Sequence, residues 1–356
     1  MEMDEMTILE ENKNFTLSED INGPLLAAVI GLEMITGFLT NSFILVLTIC
    51  YLKTWKQPSN IFLTNMLLNN LVIVVIVTPF SIVTCASGEW IFGNTLSEKV
   101  AICEASAYFF TFSTTVAIES LVLISFDRFF FIVMSFEYKK YMTVNRAIII
   151  VIISWMLAAI LISTPLYGFG NYRFSNSYGM CVPNFRNLGY AAYGSTIILV
   201  LILSIIVTST WTYCFTRRYI KRRSSASSLS YNSNEYQSQN RKLVGLFGML
   251  IVIHILCYTL FVAVSALRPF YTAPRQLWAT TFVLVILMTS LSPLAHAYFR
   301  YDIRSFLHRL YMKIKGTCIC SCVGTSATQK EATQSFDTSI MKTNGIHEHK
   351  TQLSIS

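Results

Sequence analysis

Seven stretches of this sequence are each long and apolar enough to cross a lipid bilayer, and no other feature restricts the fold so tightly. They run Leu25–Tyr51, Ile61–Thr84, Val100–Met134, Ala147–Leu166, Tyr190–Phe215, Leu243–Leu267 and Leu277–Phe299. A helix of about 20 mostly apolar residues spans the ~30 Å of hydrocarbon. Inside hydrocarbon a bare peptide group finds no partner, so an open chain crosses it only as helix. The gaps hold turn and breaker residues: Pro58-Ser59-Asn60, Gly88, Gly168 to Gly170, and Pro269 with Pro274. Only 13% of the residues are charged, against roughly 25% in soluble domains. The expected fold is an all-α membrane protein, a seven-transmembrane helix bundle.

The net charge of +8 would suggest nucleic acid if it were spread over a soluble surface. Here Lys and Arg fall in short clusters between the spans, and no nucleic-acid partner is expected. With the N-terminus outside, the inner segments hold Lys53, Lys56, Arg128, Lys139, Lys140, Arg146, Arg217, Arg218, Lys221, Arg222, Arg223, Arg241 and Lys242. The outer ones hold only Lys13, Lys99, Arg173, Arg186, Arg268 and Arg275. Positive residues stay inside, so the expected topology is multi-pass in the plasma membrane, with an extracellular N-terminus and a cytosolic C-terminus. Residues 1–24 form an acidic outer tail without the apolar core of a signal peptide, leaving export to the first span. Asn14-Phe15-Thr16 is a glycosylation acceptor on that tail.

After residues 25–299, the bundle itself, residues 300–315 are amphipathic. Phe299, Ile303, Phe306, Leu307, Leu310 and Ile314 share one face, and Arg300, Arg304, Arg309, Lys313 and Lys315 surround it. The pattern predicts a short eighth helix lying on the inner leaflet of the bilayer. In the cytosolic tail, 316–356, Cys318, Cys320 and Cys322 are candidates for palmitoylation.

Placed on these spans, a set of short motifs resembles the rhodopsin-like (class A) G-protein-coupled receptors, from about Leu25 to Leu310. Gly37-Phe38-Leu39-Thr40-Asn41 is similar to the family's Gly-x-x-x-Asn, and Ser125-Phe126-Asp127-Arg128-Phe129 to its Asp-Arg-Tyr box. Trp155 lies mid-way along the fourth span, and Ser292-Pro293-Leu294-Ala295-His296 resembles a degraded Asn-Pro-x-x-Tyr. Gly88-Glu89-Trp90-Ile91-Phe92-Gly93 is similar to a first outer loop of amine receptors and opsins. The resemblance implies a receptor that couples an extracellular ligand to heterotrimeric G proteins, with arrestin as a further partner and no cofactor. It implies a disulfide between Cys103 and Cys181, with Cys85 as a competitor. It also implies that Asp127 holds Arg128 at rest and frees it on activation.

The chain departs from the family pattern at several positions. Asn70 stands where an Asp usually coordinates sodium, Ser292 replaces an Asn and His296 a Tyr. An amide is a poorer cation ligand than a carboxylate, so weak sodium binding is expected. Tyr258 replaces the sixth-span Trp, no Pro follows it, and Asn240 stands where an acid often pairs with the Arg. At the ligand end, Phe110 occupies the place of the amine-binding Asp, and Ile286 that of the retinal-binding Lys. Aminergic ligands are therefore disfavoured and a retinal Schiff base is excluded. The run Tyr108, Phe109, Phe110 and Thr111 points to an apolar or aromatic pocket instead. Of the intramembrane acids Glu33, Glu104 and Glu119, the last is read as a neutral, hydrogen-bonded structural group facing the fourth helix or lipid. A plasma-membrane transporter or channel is the alternative function, but no internal repeat supports it. No enzyme motif or metal-ligating spacing is present.

Overall fold

The computed structural model describes residues 15–51, 57–226, 252, 256–299, 303–309 and 312. The chain divides into two compact units, Met1–Ile303 and Arg304–Ser356. In the second, 304–309 are helical; the rest of that unit apart from Met312, including Cys318, Cys320 and Cys322, lies outside the described residues, as do Asn14 and Asn240.

The first helix, Gly23–Val46, starts on Asn22, whose side chain accepts from the Leu25 N–H at 3.1 Å. It widens into a π-helical turn at Leu47–Tyr51. The second helix opens with Pro58 in its first turn, where no N–H is needed. It runs Pro58–Val72, a π turn at Ile73–Val77, then Thr78–Ser87. Pro79 explains the middle section: its ring clashes with the carbonyl four residues back, and a widened turn relieves that clash. The helix stops at Gly88, whose φ of 78° suits glycine.

The third helix, Leu96–Val133, begins with a reciprocal cap between Thr95 and Glu98. A short helix, Ser135–Tyr141, links the third helix to the fourth, which follows at Val144–Ile162. The fourth span was expected to reach Leu166; a 3-10 turn replaces its end at Thr164–Tyr167. Pro165 forces this, because the residue before a proline avoids α-helical backbone. The segment between the fourth and fifth helices carries an antiparallel hairpin, β1 (Tyr172–Ser175) and β2 (Met180–Pro183), pairing Phe174 with Cys181. The fifth helix extends to Ala226 from Leu188. Leu256–Leu267 is the described part of the sixth, and Arg275–Phe299 is the seventh, with Pro293 inside it.

Among the described residues, five helices are long and apolar enough to cross a membrane: Gly23–Cys50, Pro58–Ser87, Val144–Ile162, Leu188–Tyr219 and Arg275–Ala295. The third helix is longer still but carries Glu98, Lys99, Glu104, Glu119, Asp127 and Arg128. The packing is that of a lipid-embedded bundle. Ile149, Ile152, Ile153, Met156 and Ile160 of the fourth helix are exposed, whereas Asn41, Asn65, Asn69, Asn70 and Ser292 are buried. Apolar side chains turned outward around a polar interior suit hydrocarbon, not water.

Candidate functional site

Three groups of side chains run from the centre of the bundle to its two ends. At the centre, Asn41 donates to the carbonyls of Gly37 and Thr289, both at 2.7 Å. Asn70 donates to Asn41 Oδ1 at 3.1 Å and to Ser292 Oγ at 2.8 Å. The first, second and seventh helices are thus joined through buried amides. Gly37 permits the approach: a Cβ there would lie 2.9 Å from Val74 and 3.1 Å from Thr289 Oγ1. A second polar string ties the second, third and fourth helices. Trp155 donates to Asn65 at 2.7 Å, and Asn65 to Ser120 at 2.8 Å. Ser154 donates to Glu119, which faces the fourth helix. Tyr258 is buried in the apolar core, and Pro293 is buried within the seventh helix. Nothing is described of the His296 side chain.

Near the C-terminal end of the third helix, Asp127 is buried and Arg128 nearly so. Asp127 Oδ2 pairs with Arg128 Nη2 at 3.0 Å and accepts from Ser59 Oγ at 2.8 Å; Oδ1 accepts from the Tyr138 hydroxyl at 2.7 Å. The guanidinium also lies 5.7 Å from the Phe131 ring centre. Burial first, and the Asp127 charge second, push the Tyr138 hydroxyl above the usual tyrosine range. It therefore stays a neutral donor at physiological pH. Phe136, on the same short helix as Tyr138, is 98% exposed.

At the opposite end of the bundle, Cys103 and Cys181 are joined in a disulfide, Cα to Cα 5.3 Å, while Cys85 is free and buried. The bridge ties the hairpin to the third helix. The four residues expected to line a pocket point to different neighbours. Phe110 alone faces the bundle, 5.6 Å from the Phe282 ring and 6.4 Å from Phe261. Tyr108 turns to the fourth helix and donates to Ala159 O at 3.4 Å. Phe109 is exposed, and Thr111 donates back to Ala107 O. Consecutive helical residues point about 100° apart, so four in a row cannot face the same way. Tyr178 was not anticipated. It is fully buried and stacks on Phe282 at 4.5 Å.

A bundle of this kind, with a buried polar spine, an acid-held arginine at one mouth and a disulfide-pinned hairpin at the other, defines the seven-helix receptors. Comparison with known proteins agrees. Residues 40–295 match the family model for the 7 transmembrane receptor (rhodopsin family), and the chain belongs to that family, the rhodopsin-like or class A G-protein-coupled receptors. It is 27% identical over 173 residues to human G-protein coupled receptor 161, covering 48% of this chain and 32% of that protein. It is 24% identical over 322 residues to 5-hydroxytryptamine receptor 7 of Xenopus laevis, covering 77% and 74%. Trace amine-associated receptor 13c of Danio rerio is 24% identical over 286 residues, covering 76% and 81%. The crystal structure of squid rhodopsin superposes with a TM-score of 0.73 at 17% identity, over 86% of this chain and 90% of the other, and so shares the fold. The matched region spans about a third of the receptor 161 relatives.

Proposed function

We propose that this chain sits in the plasma membrane with its N-terminus outside and couples an extracellular ligand to heterotrimeric G proteins. The observation that carries this is the inner end of the third helix. Arg128 is held by an acid that Ser59 and Tyr138 fix in place. Such a pair is bistable: a cation so restrained changes position when its helices separate. Beside it, Phe136 stands wholly exposed. A large apolar ring on a polar inner loop gains from a partner surface that buries it.

The ligand we propose is apolar or aromatic. Phe110 offers no anion for an ammonium, and Ile286 no amine for retinal. Asn70 donates to Asn41 and to Ser292, which leaves a neutral hub and weak sodium sensitivity. Arrestin binding, glycosylation at Asn14, and palmitoylation at Cys318, Cys320 or Cys322 over a membrane-surface helix at 300–315 complete the reading. The test is nucleotide exchange on a panel of heterotrimers with the full chain in lipid nanodiscs, across a library of aromatic and apolar ligands. Ligand-dependent exchange is expected; solute or ion flux without exchange would refute it.

A further inference from the structure

The second outer loop does not merely cover the bundle; its tip enters it. Tyr178 and Met180 each have no exposed surface. The Tyr178 ring lies nearly parallel to Phe282, which lies against Phe110. Ser81 of the second helix donates to the Tyr178 carbonyl. Between the two buried residues, Gly179 adopts a φ of 62°, and a Cβ there would come within 3.1 Å of Thr84 and Cys85. Only glycine lets the backbone pass so close in that conformation. The tip thus touches the second and seventh helices directly and, through Phe282, the third.

Its seat is secured from above. The Ser18 N–H donates to Asn176 O at 2.9 Å, Leu17 N–H to Gly88 O and Trp90 N–H to Phe15 O, both at 2.8 Å. Asp20 pairs with Arg275 at the start of the seventh helix at 2.6 Å. The N-terminal strap therefore presses on the hairpin and fastens to the bundle on both sides. In this same arrangement Arg128 is paired with Asp127. Tip insertion and a restrained arginine occur together.

We propose that the hairpin tip, Tyr178 to Met180, is a built-in inverse agonist: it occupies the space around Phe110 and Phe282 and holds the resting bundle. The inference rests on the receptor reading above. An activating ligand must then displace the tip or pull it outward, and the aromatic surface it uncovers, Phe110 with Phe282, selects an aromatic or apolar group.

Cys85 reports seating without any G protein, because it is free, buried and lies against Gly179. Intact cells bearing the full chain would be treated with a membrane-impermeant maleimide, and Cys85 labelling mapped by mass spectrometry with Cys85→Ala as blank. Wild type and Tyr178→Phe, which keeps the ring, should label slowly. Tyr178→Ala should label at least about tenfold faster, because removing a buried aromatic shifts a local opening equilibrium by that much or more. Basal nucleotide exchange should rise in Tyr178→Ala and not in Tyr178→Phe, at matched surface levels. Equal, rapid labelling of wild type would overturn tip seating. Faster labelling with exchange unchanged or reduced, while Asp127→Asn raises exchange, would overturn the inverse-agonist role. Exchange absent in every variant, Asp127→Asn included, would overturn the receptor reading itself, and Cys85 protection would still decide whether the tip is seated.

Discussion

Replacing Asp127 by Asn keeps the shape of the side chain and removes its charge. In the structure that carboxylate holds Arg128 at 3.0 Å and is itself held by Ser59 at 2.8 Å and Tyr138 at 2.7 Å. A hydrogen bond to a charged group contributes about 1.5–3 kcal/mol. Losing one such contribution from the resting state alone moves the resting-to-active equilibrium by about ten- to hundredfold. A bundle resting at about 99:1 would then be roughly 10–50% active without ligand. Tyr138→Phe and Ser59→Ala each remove one neutral donor to the same carboxylate, and should raise basal activity by less than Asp127→Asn. Because the Tyr138 hydroxyl is raised above its ordinary range, it remains protonated, and its restraint should be constant from about pH 6 to 9. It would weaken only as pH climbs through the raised value. The assay is basal nucleotide exchange in nanodiscs at equal receptor density. Equal basal rates for wild type, Asp127→Asn and Tyr138→Phe, with a heterotrimer that responds to ligand, would refute the restraint.

Other consequences follow from the same contacts. Cys103→Ser or Cys181→Ser should lose roughly 2–5 kcal/mol of stability and most surface delivery; both thiols found free in correctly folded surface protein would contradict this. Asn70→Leu strips donors from Asn41 and Ser292, at about 1–3 kcal/mol for each buried group left unpaired, so its thermal midpoint in detergent should fall; an unchanged midpoint would count against the hub. Retinal should form no borohydride-trappable adduct in the seventh helix, which has no Lys between Arg275 and Phe299, and an adduct there would overturn the ligand reading. Asn14 should carry a glycan and a tag after Ser356 should stain only in permeabilised cells; staining of intact cells would reverse the topology.

The apolar runs were enough to place the spans, because a bilayer fixes both the length and the hydrophobicity of what crosses it. The residues of the central hub were legible for a different reason: Asn41, Asn70 and Ser292 stand at positions of the motifs that resemble the receptor family's. Their pairing was not legible, since Asn70 and Ser292 lie 222 positions apart in the chain. The roles of Tyr138 and Ser59 were not legible: Ser59 read as a turn residue between spans, and Tyr138 lies in the polar stretch after the third span, where a hydroxyl attracts no attention until Asp127 is seen beside it. Composition could not orient the run Tyr108 to Thr111: the helix rotates each residue to a different neighbour, and Phe110 is the buried ring of the three. Nothing in the local sequence Asn176-Ser177-Tyr178-Gly179 signals burial. Its burial arises from the Cys103–Cys181 bridge and the strap above it, both of which are tertiary.

In the proposed mechanism Arg128 transmits the signal, and its role can be tested without knowing the ligand. Basal nucleotide exchange should be compared for Asp127→Asn with and without Arg128→Ala, in nanodiscs, across the panel of heterotrimers. Arg128 lies 18 residues beyond Phe110, ~27 Å down the helix, so its loss should leave the outer end and surface level intact. Asp127→Asn should drive exchange on at least one heterotrimer, and adding Arg128→Ala should abolish it. Equal exchange by both variants, at matched surface levels, would contradict it.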